Sequence, residues 1–167
     1  MVNIDFEKFY NLALRFLSYR PRSEKEVRDR LELKIKNQKS KIKDADLIID
    51  KIIKKLKEYN FINDEEFAEK WIGSRLRFKP RSLRLIKLEL KNKGIGAEII
   101  EKLVVSRGSQ VVDDLENAKR LVEQKMGRSR NKFGMTREKL GRFLASKGFD
   151  WDTIKKAVDP VQLHECS

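Results

Sequence analysis

The sequence predicts an all-α protein of three tandem three-helix repeats, stacked into an elongated, curved rod. Three observations predict it. Apolar residues recur at helical spacing through almost every segment, and no stretch alternates convincingly as a half-buried strand does. Helix-start and helix-stop residues punctuate the chain at short intervals. Two patterns each occur three times, in order. One is Ala-x-x-apolar-apolar, at Ala13/Phe16/Leu17, Ala68/Trp71/Ile72 and Ala118/Leu121/Val122. The other is Ser/Thr-x3-apolar-x3-Leu, at Ser23/Val27/Leu31, Ser82/Ile86/Leu90 and Thr136/Leu140/Leu144. The last two instances run on to Gly94 and Gly148, and the first has Ile35 there. Units this small bury little alone and must stack on their neighbours. The expected boundaries are 1–60, 61–109 and 110–167, the third unit carrying a C-terminal tail.

The first repeat reads as a helix over residues 5–19, with Phe6, Phe9, Ala13, Phe16 and Leu17 inward and Pro21 ending it. Ser23 and Glu26 make a capping box for a second helix from about residue 24, whose core positions are Val27 and Leu31. Residues 34–43 are polar and lysine-rich, a loop or frayed helix end. Asp44 is expected to cap a third helix carrying Ile48, Ile49, Ile52, Ile53 and Leu56. Asn60 stands where a left-handed C-cap residue is wanted.

In the second repeat, residues 63–66 open a helix with capping-box spacing, carrying Phe67, Ala68, Trp71, Ile72 and Leu76. Ser82 caps the next, which stops at Gly94; Leu83, Ile86 and Leu90 line one flank, and Leu85 and Leu88 the other. A short helix over 95–105 and a linker over 107–110 follow. In the third, residues 113–116 open a long helix to about residue 128, Thr136 caps one ending at Gly148, and residues 150–158 form the last. The Ala-to-cap distance is 10, 14 and 18 residues in the three repeats. Each step is about one helical turn, so the first helix of each unit is expected to lengthen with its apolar face in register.

The chain has 167 residues, a formal net charge of +13, and 39% charged residues. The excess is local. Residues 72–94 hold eight cations, Arg75, Arg77, Lys79, Arg81, Arg84, Lys87, Lys91 and Lys93, against one acid, Glu89. Residues 119–147 hold ten cations against two acids, among them Arg128, Arg130, Lys132, Arg142 and Lys147. Concentration in two segments points to a binding surface for a polyanion; the plainer alternative is a pair of solvated helix faces. Arg84, Lys87 and Lys91 recur at i, i+3 and i+7, one stripe of a helix. Such spacing lets several cations track a phosphate backbone with little sequence preference. Residues 127–132 read as a basic loop that folds on a partner, or as an ordinary helix-end loop.

Other chemistry is disfavoured. Phe67, Trp71, Phe149 and Trp151 follow the apolar period, which favours core packing over base stacking. The acids at 64–66 are explained by helix-start electrostatics rather than by a metal. Gly94-Ile95-Gly96 lacks the rest of a phosphate-cradling fingerprint. His164 and Cys166, the sole histidine and cysteine, lie at the very end, and no hydrolytic triad can be built from them. No catalytic residue, cofactor or metal is expected. The N-terminal stretch has acids where a secretory signal needs a basic region, and no apolar run approaches the ~20 residues of a membrane span. A soluble cytoplasmic monomer without membrane contact is expected. Two other readings stay open: a sequence-specific helical DNA-binding regulator, since short capped helices build helix-turn-helix units, and a pure protein-interaction scaffold.

Three stretches resemble one family. They are ALRFLSYRPRSEKEVRDRLELK, YNFINDEEFAEKWIGSRLRFKPRSLRLIKLELKNKGI and LGRFLASKGFDWDTIKKAV. Together the resemblance runs from about residue 5 to 158, and the block at 63–94 is its most specific part. The chain is similar to RecX, bacterial regulators of the recombinase RecA. Ile35 in place of a glycine, Asn60 where the family usually has glycine, the lysine-rich 34–43 segment and the tail at 161–167 depart from the pattern. The resemblance implies three tandem three-helix units. It also implies a regulator that binds the RecA–single-stranded DNA filament in its groove. There it would limit filament growth and lower ATP hydrolysis and strand exchange, in DNA repair, recombination and the SOS response. DNA binding by the protein alone, to single strands and non-specifically to duplex, is implied too.

Overall fold

The computed structural model describes residues 4–37, 44–107, 113–128 and 136–159. Among these residues the fold is nine helices and no strand. They are α1 (Ile4–Ser18), α2 (Glu24–Lys36), α3 (Ala45–Glu58), α4 (Asp64–Phe78), α5 (Leu83–Asn92), α6 (Ala97–Arg107), α7 (Asp114–Arg128), α8 (Arg137–Ser146) and α9 (Trp151–Val158). The chain divides into two compact units, Met1–Glu69 with Lys91–Ile99, and Lys70–Leu90 with Ile100–Ser167.

In the first unit, α1, α2 and α3 pack on one another around Phe9, Ala13, Val27, Leu31, Ile49, Ile52 and Leu56. In the second, α7, α8 and α9 do the same around Ala118, Val122, Leu140, Leu144, Phe149 and Ile154. These are the periodic apolar positions, among them Ala13, Val27, Leu31, Ala118, Val122, Leu140 and Leu144 of the repeated patterns. Fully burying one such Leu or Ile contributes about 1.5–3 kcal/mol, so each trio is held chiefly by this apolar seam.

Local chemistry sets the helix ends. Ser23 accepts from the Glu26 amide while the Glu26 carboxylate accepts from the Ser23 amide, the reciprocal box read from the sequence. Asn63, Asp113, Thr136 and Asp150 each accept from the amide three residues on, at 3.0, 3.0, 3.3 and 2.9 Å. Asn60 has φ +56°, and its amide and that of Phe61 donate to Lys57 and Leu56 carbonyls, a Schellman stop. Gly148, at φ +86°, ends α8 the same way, its amide bonding Ala145 O and that of Phe149 bonding Leu144 O.

Four expectations need correction. Asp44 precedes α3 but makes no capping hydrogen bond, because its backbone is left-handed (φ 57°, ψ 37°) and caps reach the first-turn amides from extended backbone. The lysine-rich segment is helical as far as Lys36, and its remainder at 38–43 lies outside the described residues. The helix expected from residue 95 starts at Ala97 and takes in Arg107, expected in the linker. Leu85 is half-buried and Leu88 is 51% exposed, so α5 buries the flank of Ile86 and Leu90 rather than two flanks. The lengthening of first helices is seen at the first step, and the second step falls outside the described residues. Helix α4 runs ten residues past Ala68 where α1 runs five past Ala13, but α7 runs ten past Ala118, and the added residues fall at 129–135, outside the described residues.

The second helices meet end to start. Within the first unit, the end of α5 lies on the first turn of α2: Lys25 Nζ donates to Asn92 O at 3.2 Å, and a Cβ on Gly94 (φ +81°) would meet Lys25 Cβ at 2.6 Å. Within the second unit, the end of α8 lies on the first turn of α5. The Ser82 amide donates to Lys147 O at 3.1 Å, its hydroxyl donates to Gly148 O at 2.7 Å, and a Cβ on Gly148 would come within 2.8 Å of Leu85 Cβ. Glycine is required at both places by left-handed backbone and by the contact itself. Ile35, the equivalent in α2, sits inside a helix that runs on to Lys36 and stops on Asn37 at φ −81°, where no glycine is needed.

Gly148→Ala is therefore expected to destabilise the fold by about 1–3 kcal/mol. Gly141→Ala, inside α8 with only Ile154 Cγ2 at 3.7 Å, should instead raise stability by about 0.5–1 kcal/mol. Urea midpoints of the two variants against the native chain measure both, and a neutral Gly148→Ala would refute the junction.

Candidate nucleic-acid interface

Most of the basic stretch is in the second unit, on the last turns of α4, the 79–82 connection and α5. Glu89, its one acid, is the hub. Trp71 Nε1 donates to Glu89 Oε2 at 2.8 Å and Arg75 Nε to the same oxygen at 2.7 Å, while Arg81 Nη1 donates to Oε1. The Arg75 guanidinium also lies 4.2 Å from the centre of the Trp71 ring. Arg75 and Glu89 are largely covered, so this is an architectural clamp between α4 and α5. Lys87 Nζ bonds Glu101 of α6 at 2.9 Å. Arg75, Arg81 and Lys87 are thus engaged within the fold, the two arginines sharing the single charge of Glu89.

Three cations of the stretch's second-unit part face outward. Arg77, Lys79 and Arg84 are exposed, and none makes an ion pair among the described residues. Arg77 lies 5.4 Å over the exposed Phe78 ring. The start of α5 that carries Arg84 is fixed by a cap from another helix: the Leu83 amide donates to Asp114 Oδ1 at 2.9 Å. Burial raises the Asp114 pKa, against the pull of that amide and with Asp150 and Asp113 adding to the rise. The first unit repeats the device, the Glu24 amide donating to Asp64 Oδ1 at 2.8 Å, and there too burial raises the carboxyl's pKa.

Lys91 and Lys93 belong to the first unit. Lys91 is exposed, whereas Lys93 Nζ bonds Glu26 Oε1 at 2.7 Å, opposite Arg20 on the same carboxylate. Burial alone would raise the Glu26 pKa, but hydrogen bonds from Arg20 and Lys93, with their charges, leave it lowered. In the other basic segment Arg142 is exposed and paired with Glu138 one turn back, a contact worth about 0.3–0.5 kcal/mol at most. Lys147 is half-buried beside the Phe143 ring, 5.4 Å from its centre. Arg128 ends α7, its side chain outside the described part, and Arg130 and Lys132 lie outside the described residues altogether.

The aromatic expectation holds for Phe67 and Phe149, which are buried, and Trp71 is half-buried on Glu89. Trp151 corrects it. It is 73% exposed at the first position of α9, where only the other flank of a short helix turns inward, and it edges a groove with Arg137, Arg142 and Lys155. Among the described residues no group of acids, histidines or cysteines forms a metal site. No helix there is long and apolar enough to cross a membrane.

Capped three-helix units with outward cations define a class: modular all-helical proteins with exposed basic faces. Family models for the first, second and third RecX three-helix domains match residues 10–35, 63–103 and 112–158. The Regulatory protein RecX of Chlorobium phaeobacteroides is 32% identical over 161 residues, 96% of this chain and 98% of that protein. That of Bacillus velezensis is 31% identical over 160 residues, 95% of this chain and 57% of that protein. That of Listeria welshimeri is 35% identical over 152 residues, 90% and 52%. The chain thus spans little more than half the length of these last two relatives. A crystal structure of RecX from Lactobacillus salivarius superposes with TM-score 0.67 at 30% identity, covering 95% of this chain and 97% of that one. The chain belongs to the RecX family of regulatory proteins.

Two results are expected of the ion pairs. Glu89→Ala strands two partly covered arginines and should cost about 1–3 kcal/mol in urea denaturation. Glu26 has a lowered folded-state pKa, so its contribution is present above the ordinary Glu range and lost as pH falls through the folded value. The stability gap between the native chain and Glu26→Gln should accordingly be widest at neutral pH and close in acid; a gap constant with pH would contradict the assignment.

Proposed function

We propose that this chain binds the RecA–single-stranded DNA filament and inhibits RecA's recombinase and ATPase activity, as a modulator of recombination and repair. Membership of a family of RecX regulators supports the regulatory role. The observation that carries the binding mode is the sorting of cations around α5. Arg75, Arg81 and Lys87 are engaged by Glu89 and Glu101, and Arg77, Lys79 and Arg84 are left facing outward within eight residues of sequence. Cations held at fixed spacing on helix ends contact phosphates without reading bases, which suits an extended polyanionic assembly better than one duplex site.

The test is RecA's ATP hydrolysis on single-stranded DNA with this protein added. Inhibition by the native chain is expected, and its loss in Arg77→Glu/Lys79→Glu/Arg84→Glu at unchanged thermal stability. Full inhibition by that variant would move the working surface elsewhere. If about six phosphates are neutralised, binding to single strands should fall with salt at a log–log slope near −4. A large preference for one duplex sequence would favour a transcriptional regulator instead.

A further inference from the structure

The first unit holds a second cationic surface that net charge conceals. Residues 1–37 carry nine cations and six acids, so the segment looks nearly neutral. The fold separates the signs. Glu24 and Glu26 are consumed by Lys57, Arg28, Arg20 and Lys93. On another face, a groove of about 430 Å³ between α1 and α2 is lined by Lys8, Arg15, Arg30 and Lys34, with no acid among its lining residues. None of these four makes an ion pair among the described residues.

The floor and rim are aromatic. Phe16 lies beneath two arginines, the Arg22 guanidinium 3.9 Å and that of Arg30 5.5 Å from its ring centre. The Nε atoms of both arginines are buried without an acceptor. Tyr19, at the end of the α1 stripe Lys8, Leu12, Arg15, Tyr19, is 77% exposed at the groove's mouth. A guanidinium such as that of Arg30, held on an apolar floor with no ion pair among the described residues, favours an anionic occupant. An exposed ring beside them offers a face to a base.

We propose that this α1–α2 groove is a contact site for single-stranded DNA, its four cations taking backbone phosphates and Tyr19 stacking on an unpaired base. Alternating phosphate and base matches cations alternating with rings, which a carboxylate-bearing protein segment does not require. The inference rests on the reading that the chain binds single-stranded DNA, and it adds a site outside the α4–α5 surface.

The experiment is fluorescence anisotropy of a labelled oligo-dT across a salt series. It compares the native chain, Arg15→Gln/Lys34→Gln, Tyr19→Ser, and the α4–α5 variant Arg77→Gln/Arg84→Gln. Removing two phosphate contacts in the groove should flatten the log–log slope by about 1.4. Tyr19→Ser should weaken binding several-fold with the slope unchanged. All substituted side chains here are exposed or half-buried, and circular dichroism confirms folding. Native affinity and slope in both groove variants, with weakening only in the α4–α5 variant, would overturn this inference and leave the function above standing. No oligo-dT binding by the native chain would overturn both. Binding of an acidic peptide, but not oligo-dT, lost in Arg15→Gln/Lys34→Gln would also overturn it.

Discussion

A helix start that is buried needs acceptors for its amides, and the fold depends on how that need is met. Ser23 is fully buried and Ser82 is 1% exposed, yet each heads a helix with unsatisfied first-turn N–H groups. A cap from the same helix serves one amide, and an aspartate from the following repeat serves another: Asp64 for α2 and Asp114 for α5. The end of the following repeat's second helix then closes over the same turn. Apolar burial supplies most of the stabilisation, but it has no direction. These hydrogen bonds and the two left-handed glycines fix the register between one repeat and the next.

The first repeat lacks both halves of the device, and consistently so. Phe9 stands four residues before Ala13, where Asp64 and Asp114 stand before Ala68 and Ala118, and it is buried in the core. Ile35 stands where the glycines do, inside a longer helix. An aspartate and a glycine are kept where a preceding helix start must be served, and replaced by apolar residues where that role is absent. A departure from the repeat pattern thus has a packing cause.

The helices were legible in the sequence because each carries its own periodic core and its own caps; Ser23, Asn60, Asn63, Thr136 and Gly148 act as their residue types predict. Asp44 failed because a cap needs backbone geometry that residue type does not specify. The candidate surface was legible only in part. Net charge along the chain located the α4–α5 cations but could not tell Arg84, which faces outward, from Arg81, which is bound to Glu89 across a turn. The same blindness hid the α1–α2 groove, where cations and acids adjacent in sequence project to different faces of their helices. Trp151 was misread because period alone does not say which edge of a short terminal helix is covered.

Charge in this protein has two uses, and partner geometry separates them. Cations that meet a carboxylate hold helices together; those that do not are available to an external polyanion. The most direct measurement is the salt dependence of single-stranded DNA binding by Arg75→Gln beside Arg84→Gln. A flatter slope for Arg84→Gln, with Arg75→Gln losing thermal stability but keeping the native slope, is the result this account requires. Equal flattening by both would show that the clamp on Glu89 does not sort the charges, and would contradict it.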